Sequence, residues 1–132
     1  MMTLFELIDL SQSIGFRIDA QWGFFLTVHM ALFGGIIYVD RPLKKTEKVV
    51  AIMLYFGFAL INYLMLAGQL ELLQIISHQI YEQLQAAESP LREFYARRSN
   101  AAWFDKASAY SVLVHGLMLV IVALTVVFDG KR

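Results

Sequence analysis

Charged residues are absent from three long stretches of the chain. These are residues 20–39, 49–70 and 107–128, with 20, 22 and 22 residues. A helix needs about 20 apolar residues to cross the roughly 30 Å hydrocarbon core of a bilayer, so each stretch is long enough to span it. A soluble helix would instead carry charges every three or four residues along its wet face. The pattern predicts an all-α, polytopic integral membrane protein with three transmembrane helices.

The second span is predicted to continue as a helix beyond the bilayer. Good helix-forming sequence runs without proline from Thr46, a predicted N-cap with Glu47 in the first turn, to about Glu88. A helix of about 42 residues is roughly 63 Å long, twice the hydrocarbon thickness. The distal half must therefore stand outside the membrane. We expect residues 71–106 to form an extramembrane helical hairpin.

Helix stop signals divide that hairpin. Ser89 followed by Pro90 predicts a stop and a restart, because proline is accepted at the first position of a helix. The short helix is expected to run through Arg98. Ser99 and Asn100 then predict a second restart, which leads into the third span.

The segment before the first span, residues 1–19, is amphipathic. Thr3 and Glu6 have the spacing of a capping box, in which each residue satisfies a backbone N–H of the other. Gly15 predicts a break, and Asp19 is the predicted cap of the next helix. We expect this segment to lie in the membrane interface or against the bundle. Its apolar residues fall mainly on one side: Leu4, Leu7, Ile8 and Leu10.

Orientation follows from the short loops. The connection at residues 40–48 carries four basic residues, and short basic loops are retained on the cytoplasmic side. The tail at residues 129–132 must lie on the same side after two further crossings. The sequence predicts a cytoplasmic (inner) membrane location, with the N-terminus outside and the C-terminus cytoplasmic.

Composition excludes several function classes. Hydrophobic residues make up 58% of the 132 residues, and 11 basic residues balance 11 acidic ones, so no excess of positive charge points to nucleic acid. The chain has no cysteine, which excludes disulfides and thiolate chemistry. It also lacks a phosphate-binding glycine loop, a Gly-x-Ser-x-Gly motif and an acidic residue within a span. We therefore expect a protein that is not an enzyme and carries no cofactor.

Polar side chains recur near the middle of the three spans. His29, Asn62 and His115 fall at similar depth when each charge-free stretch is centred on the bilayer, within about one helical turn. Ser108 and Ser111 share a helix face with His115. Polar groups in hydrocarbon are costly unless they are paired, so the coincidence predicts one buried polar level.

Four interpretations of that level remain open. The three side chains can bond one another and hold the helices in register. Alternatively, Ser108, Ser111 and His115 line the pore of a small oligomeric ion or proton channel. The third interpretation is a membrane anchor subunit that binds haem b or another metal, with His29 and His115 as candidate metal ligands. The fourth is an anchor subunit with a quinone or lipid site, for which the sequence offers only aromatic residues such as Tyr63 and Phe25.

Two further patterns point to assembly. Small residues that permit close helix contact occur in each span. A narrow apolar seam also recurs on the extension of the second helix, and it is expected to pair with another chain or to be covered by Leu91, Phe94 and Tyr95. We therefore expect a homo-oligomer or an accessory subunit of a larger membrane complex. The small residues are Ala31, Gly34, Gly35, Gly57 and Gly116, and the seam consists of Leu73, Ile76, Ile80 and Leu84.

Overall fold

The chain folds into helices joined by short connections. The computed structural model describes residues 2–39, 41–85 and 89–128. Within these residues there are four helices and no strand. Three of the helices are long and apolar enough to cross a membrane, so the predicted all-α chain with three such helices is confirmed. The four are α1 (Leu4–Tyr38), α2 (Lys45–Leu84), α3 (Pro90–Arg98) and α4 (Ala101–Phe128).

The apolar parts of the long helices lie mostly on the outside of the bundle. In the most apolar 18-residue window of α1 only 11% of residues are buried, and in those of α2 and α4 only 22%. Met53, Leu54 and Leu113 are each more than half exposed. Water does not tolerate apolar surface on this scale, whereas lipid chains solvate it. The exposure therefore agrees with helices that face hydrocarbon.

Helix α1 begins where the sequence predicts but is not interrupted. The Thr3 hydroxyl accepts from the backbone N–H of Glu6, and the Glu6 carboxylate accepts from the backbone N–H of Thr3, so the capping box is confirmed. The predicted break at Gly15 and cap at Asp19 are wrong, because α1 is one helix of 35 residues. Leu7 and Ile14 are buried within the bundle. Their burial exceeds the cost of about 1 kcal/mol for a glycine inside a helix.

Helix α2 begins slightly earlier than predicted. The Glu47 carboxylate accepts from the backbone N–H of Lys44 at 2.9 Å, so Lys44 is the N-cap residue and the predicted cap at Thr46 is wrong. Glu47 also pairs with both terminal nitrogens of Arg41, at 2.8 and 2.9 Å. The hydrogen bond from Arg41, followed by that from the Lys44 backbone, lowers the pKa of Glu47 to about 2. This carboxylate therefore fixes the start of α2.

The distal connections follow the predicted stop signals. Ser89 caps α3 by accepting from the backbone N–H of Leu91, and Pro90 is the first residue of that helix. Asn100 accepts from the backbone N–H of Ala102 at the start of α4. Both restarts are confirmed. Helix α2 ends at Leu84, and its predicted end near Glu88 lies outside the described residues.

Helix α2 is the central element of the bundle. α1 and α4 both pack along it, and α3 packs against its end. The buried residues form two clusters. The first, here called the Leu73 cluster, surrounds the distal half of α2, and the second, the Val122 cluster, lies near its start. The Leu73 cluster contains Leu7, Ile14, Leu73, Ile76, Ile80, Leu84, Tyr95 and Phe104. The Val122 cluster contains Ile36, Tyr55, Ala59, Val122 and Val126.

The predicted seam on α2 lies within the Leu73 cluster. Ile80 is 0% exposed and Leu84 4%, although the structure contains a single chain. The cover comes from α1, which contributes Leu7 and Ile14, together with Tyr95 of α3 and Phe104 of α4. By contrast Leu91 and Phe94, two of the three residues expected to cover the seam, are about half exposed. The N-terminal segment therefore packs against the bundle, where it covers the seam.

Candidate functional site

Asn62 joins all three long helices through its side chain. Its carbonyl oxygen accepts from the amide of Gln21 on α1 at 2.6 Å. Its amide donates to Nε2 of His115 on α4 at 3.3 Å. His115 in turn donates from Nδ1 to the backbone carbonyl of Ser111 at 2.8 Å. Asn62, His115 and Ser111 are all buried, so this chain of hydrogen bonds crosses the bundle away from lipid.

His29 belongs to a separate pair. Its Nδ1 donates to the backbone carbonyl of Phe25 at 2.6 Å, and its Nε2 accepts from the hydroxyl of Tyr55 on α2. Both His29 and Tyr55 are almost fully buried. This pair therefore joins α1 to α2.

The two histidines adopt the same arrangement. Each ring places Nδ1 against the carbonyl of the residue four positions earlier, Phe25 for His29 and Ser111 for His115. A carbonyl oxygen can only accept, so Nδ1 carries the hydrogen in each ring and Nε2 is the acceptor. Each Nε2 is then occupied by a donor from α2. All ring nitrogens are satisfied when both imidazoles are neutral.

The structure has two polar levels where the sequence predicts one. Tyr55 and Asn62, which receive the two histidines, are seven residues apart on α2, or about 10 Å. The difference arises from the register of α1, whose continuous N-terminal part packs on the Leu73 cluster. Centring each charge-free stretch on the bilayer does not account for that packing. Gln21 was also missed, although its partner Asn62 was identified.

Aromatic rings fill the space between the two levels. The ring of Phe25 lies 4.2 Å from that of His29 and 4.3 Å from that of His115, measured between centroids. Trp22 and Tyr63 also contact His115, at 5.6 and 5.8 Å. The side chains of α1 thus reach α4 directly at this depth.

The residues of the pore and haem interpretations are packed inside the single chain. Ser111 and His115 are buried in the chain, and Ser108 is half-buried one turn away. Nε2 of His29 and Nε2 of His115 accept from different residues, and Phe25 contacts both rings. Ligation of one haem iron by both histidines would require Tyr55, Asn62 and Phe25 to move. Among the described residues, no group of three or more His, Asp or Glu side chains could hold a metal ion.

The predicted helix-packing residues lie on the outside of the chain or at its margin. Ala31, Gly34, Gly35 and Gly116 are exposed, and Gly57 is half-buried. A Cβ atom added to any of the four glycines would meet no other atom within 4 Å. Contacts within this chain therefore do not require these glycines.

Comparison with known proteins gives no further guide, since no protein-family model, curated protein or solved structure matches the chain.

Proposed function

We propose that this protein is a small, non-enzymatic integral membrane protein that acts by assembly, as a homo-oligomer or as an accessory subunit of a membrane complex. Residues 20–39, 49–70 and 107–128 cross the bilayer. The distal half of α2 and α3 form an extramembrane hairpin, which α1 completes by packing against the seam. The N-terminus lies outside, and the basic loop at residues 40–48 is cytoplasmic.

A stripe of small residues on α1 is the observation that carries this proposal. Gly23, Thr27, Ala31 and Gly35 follow one another at intervals of four residues, and all are exposed. Ala31 lies about 160° around the helix from the buried His29, so the stripe faces away from α2. The Thr27 hydroxyl donates to the Gly23 carbonyl at 2.8 Å, which leaves the stripe without a free donor.

The composition of the stripe favours a helix rather than lipid as its neighbour. A glycine costs a helix about 1 kcal/mol relative to alanine, and here the chain itself gains no contact in return. Small residues every fourth position let two helix backbones approach closely, and this packing drives association where water is absent. The hydrogen bonds that join Asn62 to Gln21 and His115, and His29 to Tyr55, agree with a structural rather than a catalytic role for these side chains.

The proposal is tested by placing larger side chains in the stripe. Ala31→Leu with Gly35→Leu should reduce the particle mass of the wild-type oligomer in nanodiscs, measured by native mass spectrometry, because the added side chains keep a second helix away. The matched control is Gly68→Leu, since Gly68 is an exposed glycine on α2 whose added Cβ also meets no atom. An oligomer unchanged by the α1 double variant would contradict the assigned surface. A monomeric wild type would contradict the homo-oligomer form.

A further inference from the structure

An apolar groove lies between α1 and the first half of α2. Its volume is about 640 Å³. It extends along α2 from Thr46 to Phe58, which is roughly 18 Å of helix. One leaflet of a bilayer is about 15 Å deep, half the hydrocarbon thickness, so the groove has the depth of one leaflet. The walls are formed by Val28, Leu32, Val50, Ala51, Leu54 and Phe58.

Among the residues that line the deep end of the groove, no free side-chain hydrogen-bond donor remains. Tyr55 is the polar residue at that end, and its hydroxyl donates to Nε2 of His29. Nδ1 of His29 is in turn held by the Phe25 carbonyl. A ligand with a polar ring, such as a quinone, would therefore find no partner there. An alkyl chain needs none.

The mouth of the groove is polar and lies beside excess positive charge. Thr46 and Glu47 line it, and the Glu47 carboxylate is neutralised by Arg41. Lys48 donates to the backbone carbonyl of Val127 at the end of α4. The preceding residues Lys44 and Lys45 form no ion pair within residues 2–39, 41–85 and 89–128. Both lysines are exposed and directly precede Thr46, so an anionic group at the level of the lipid headgroups can approach them.

We propose that this groove is a binding site for one anionic phospholipid. One acyl chain lies along the apolar wall towards Tyr55, and the phosphate lies at the mouth beside Lys44 and Lys45. The site requires that the helices lie in a bilayer. It does not require self-association, so it can be tested apart from the oligomer.

The test separates the headgroup from the acyl chain. The protein is reconstituted in nanodiscs that contain equal amounts of phosphatidylglycerol and phosphatidylcholine with the same acyl chains, and lipids retained in mild detergent are counted by native mass spectrometry. We expect the wild type to retain phosphatidylglycerol in several-fold excess. Lys44→Gln with Lys45→Gln should abolish that preference. Val50→Trp should reduce the retention of phosphatidylglycerol, because the indole fills the groove.

Controls guard against general effects on folding or on surrounding lipid. Val50 is 55% exposed, so its replacement leaves the core intact, and Leu113→Trp places the same side chain at a position on α4 that is 61% exposed. The control should retain lipid as the wild type does. The proposal is overturned if the wild type retains the two lipids equally, or if Val50→Trp behaves like Leu113→Trp.

Discussion

The side chain of Asn62 on α2 hydrogen-bonds to both of the other long helices. One amide side chain accepts from Gln21 and donates to His115, and so connects α1 with α4 through α2. In hydrocarbon an unpaired amide is costly, so these two bonds fix the positions of three helices at once. Because each partner is a neutral side chain, the connection needs no charge within the membrane.

A double-mutant cycle measures the bond between Asn62 and His115. Asn62→Leu and His115→Phe should each lower the free energy of unfolding in detergent, and their coupling should be about 0.6 to 2 kcal/mol, the range for hydrogen bonds between membrane helices. Tyr63→Phe is the control, because it removes the hydroxyl of a residue whose ring contacts His115 while it keeps that ring contact. Its coupling with Asn62→Leu should be close to zero. Equal coupling in both cycles would count against the bond.

The pairing of Glu47 predicts a dependence on pH. Since folding lowers its pKa from 4.5 to about 2, the ionised carboxylate stabilises the folded state above pH 4.5, and this contribution is lost as the pH falls towards 2. Glu47→Gln should therefore lower the thermal unfolding midpoint at pH 7 but not at pH 2, as measured by circular dichroism. Glu71→Gln removes an exposed carboxylate further along α2 and serves as control. A Glu47→Gln effect that persists at pH 2 would contradict the ion pair with Arg41.

At the scale of elements, the continuity of α1 is the main departure from what the sequence predicts. Gly15 and Asp19 are local signals for a break, and such signals act through propensities of about 1 kcal/mol. Leu7 and Ile14 are each 1% exposed, and burial of one such side chain contributes roughly 1.5 to 3 kcal/mol. The partners of these residues are more than 50 positions away, so no local pattern could reveal them. By contrast the capping box at Thr3 and the helix restart at Ser89 and Pro90 depend on neighbours within three residues, and both were predicted correctly.

One charged substitution in the seam should separate α1 from the distal half of α2. Ile80→Lys places an ammonium group at a position that is 0% exposed, which costs several kcal/mol unless the covering helix moves away. We expect faster amide hydrogen exchange over residues 4–19, with residues 115–128 of α4, which lie outside the Leu73 cluster, unaffected. Ile75→Lys is the matched control on the same helix, because Ile75 is 48% exposed. Loss of an oligomer without faster exchange in α1 would instead assign the seam to contacts between chains.

At the scale of the whole molecule, the three long apolar helices and their buried polar residues could be predicted, but the register of one helix against another could not. Charge-free length identifies a membrane helix because the bilayer thickness is fixed. It does not determine how far one helix is displaced along another, which is set by packing. His29 was therefore expected beside Asn62 but bonds to Tyr55, two turns away. The outward direction of Gly23 and Gly35 likewise depends on which face of α1 meets α2.

Orientation across the membrane is a prediction for the whole chain. If the basic loop is cytoplasmic, Gln85→Cys at the end of α2 should react with an impermeant thiol reagent in intact cells. Lys45→Cys, in the first turn of the same helix, should react only after the membrane is permeabilised. The chain has no cysteine of its own, so each variant reports a single position. The reverse pattern would invert the proposed topology.

The cover that α1 provides for the distal half of α2 sets an order of events during synthesis. Leu7 and Ile80 lie together in the Leu73 cluster but are separated by about 70 residues of chain. A ribosome that adds about 5 to 20 residues per second needs roughly 4 to 14 seconds to make that stretch. For this interval the apolar side of the first four turns has no protein partner. If the proposed topology holds, the nascent N-terminal segment rests on the bilayer surface or is held by a chaperone during this interval, and it reaches its final place only once the second span has crossed the membrane.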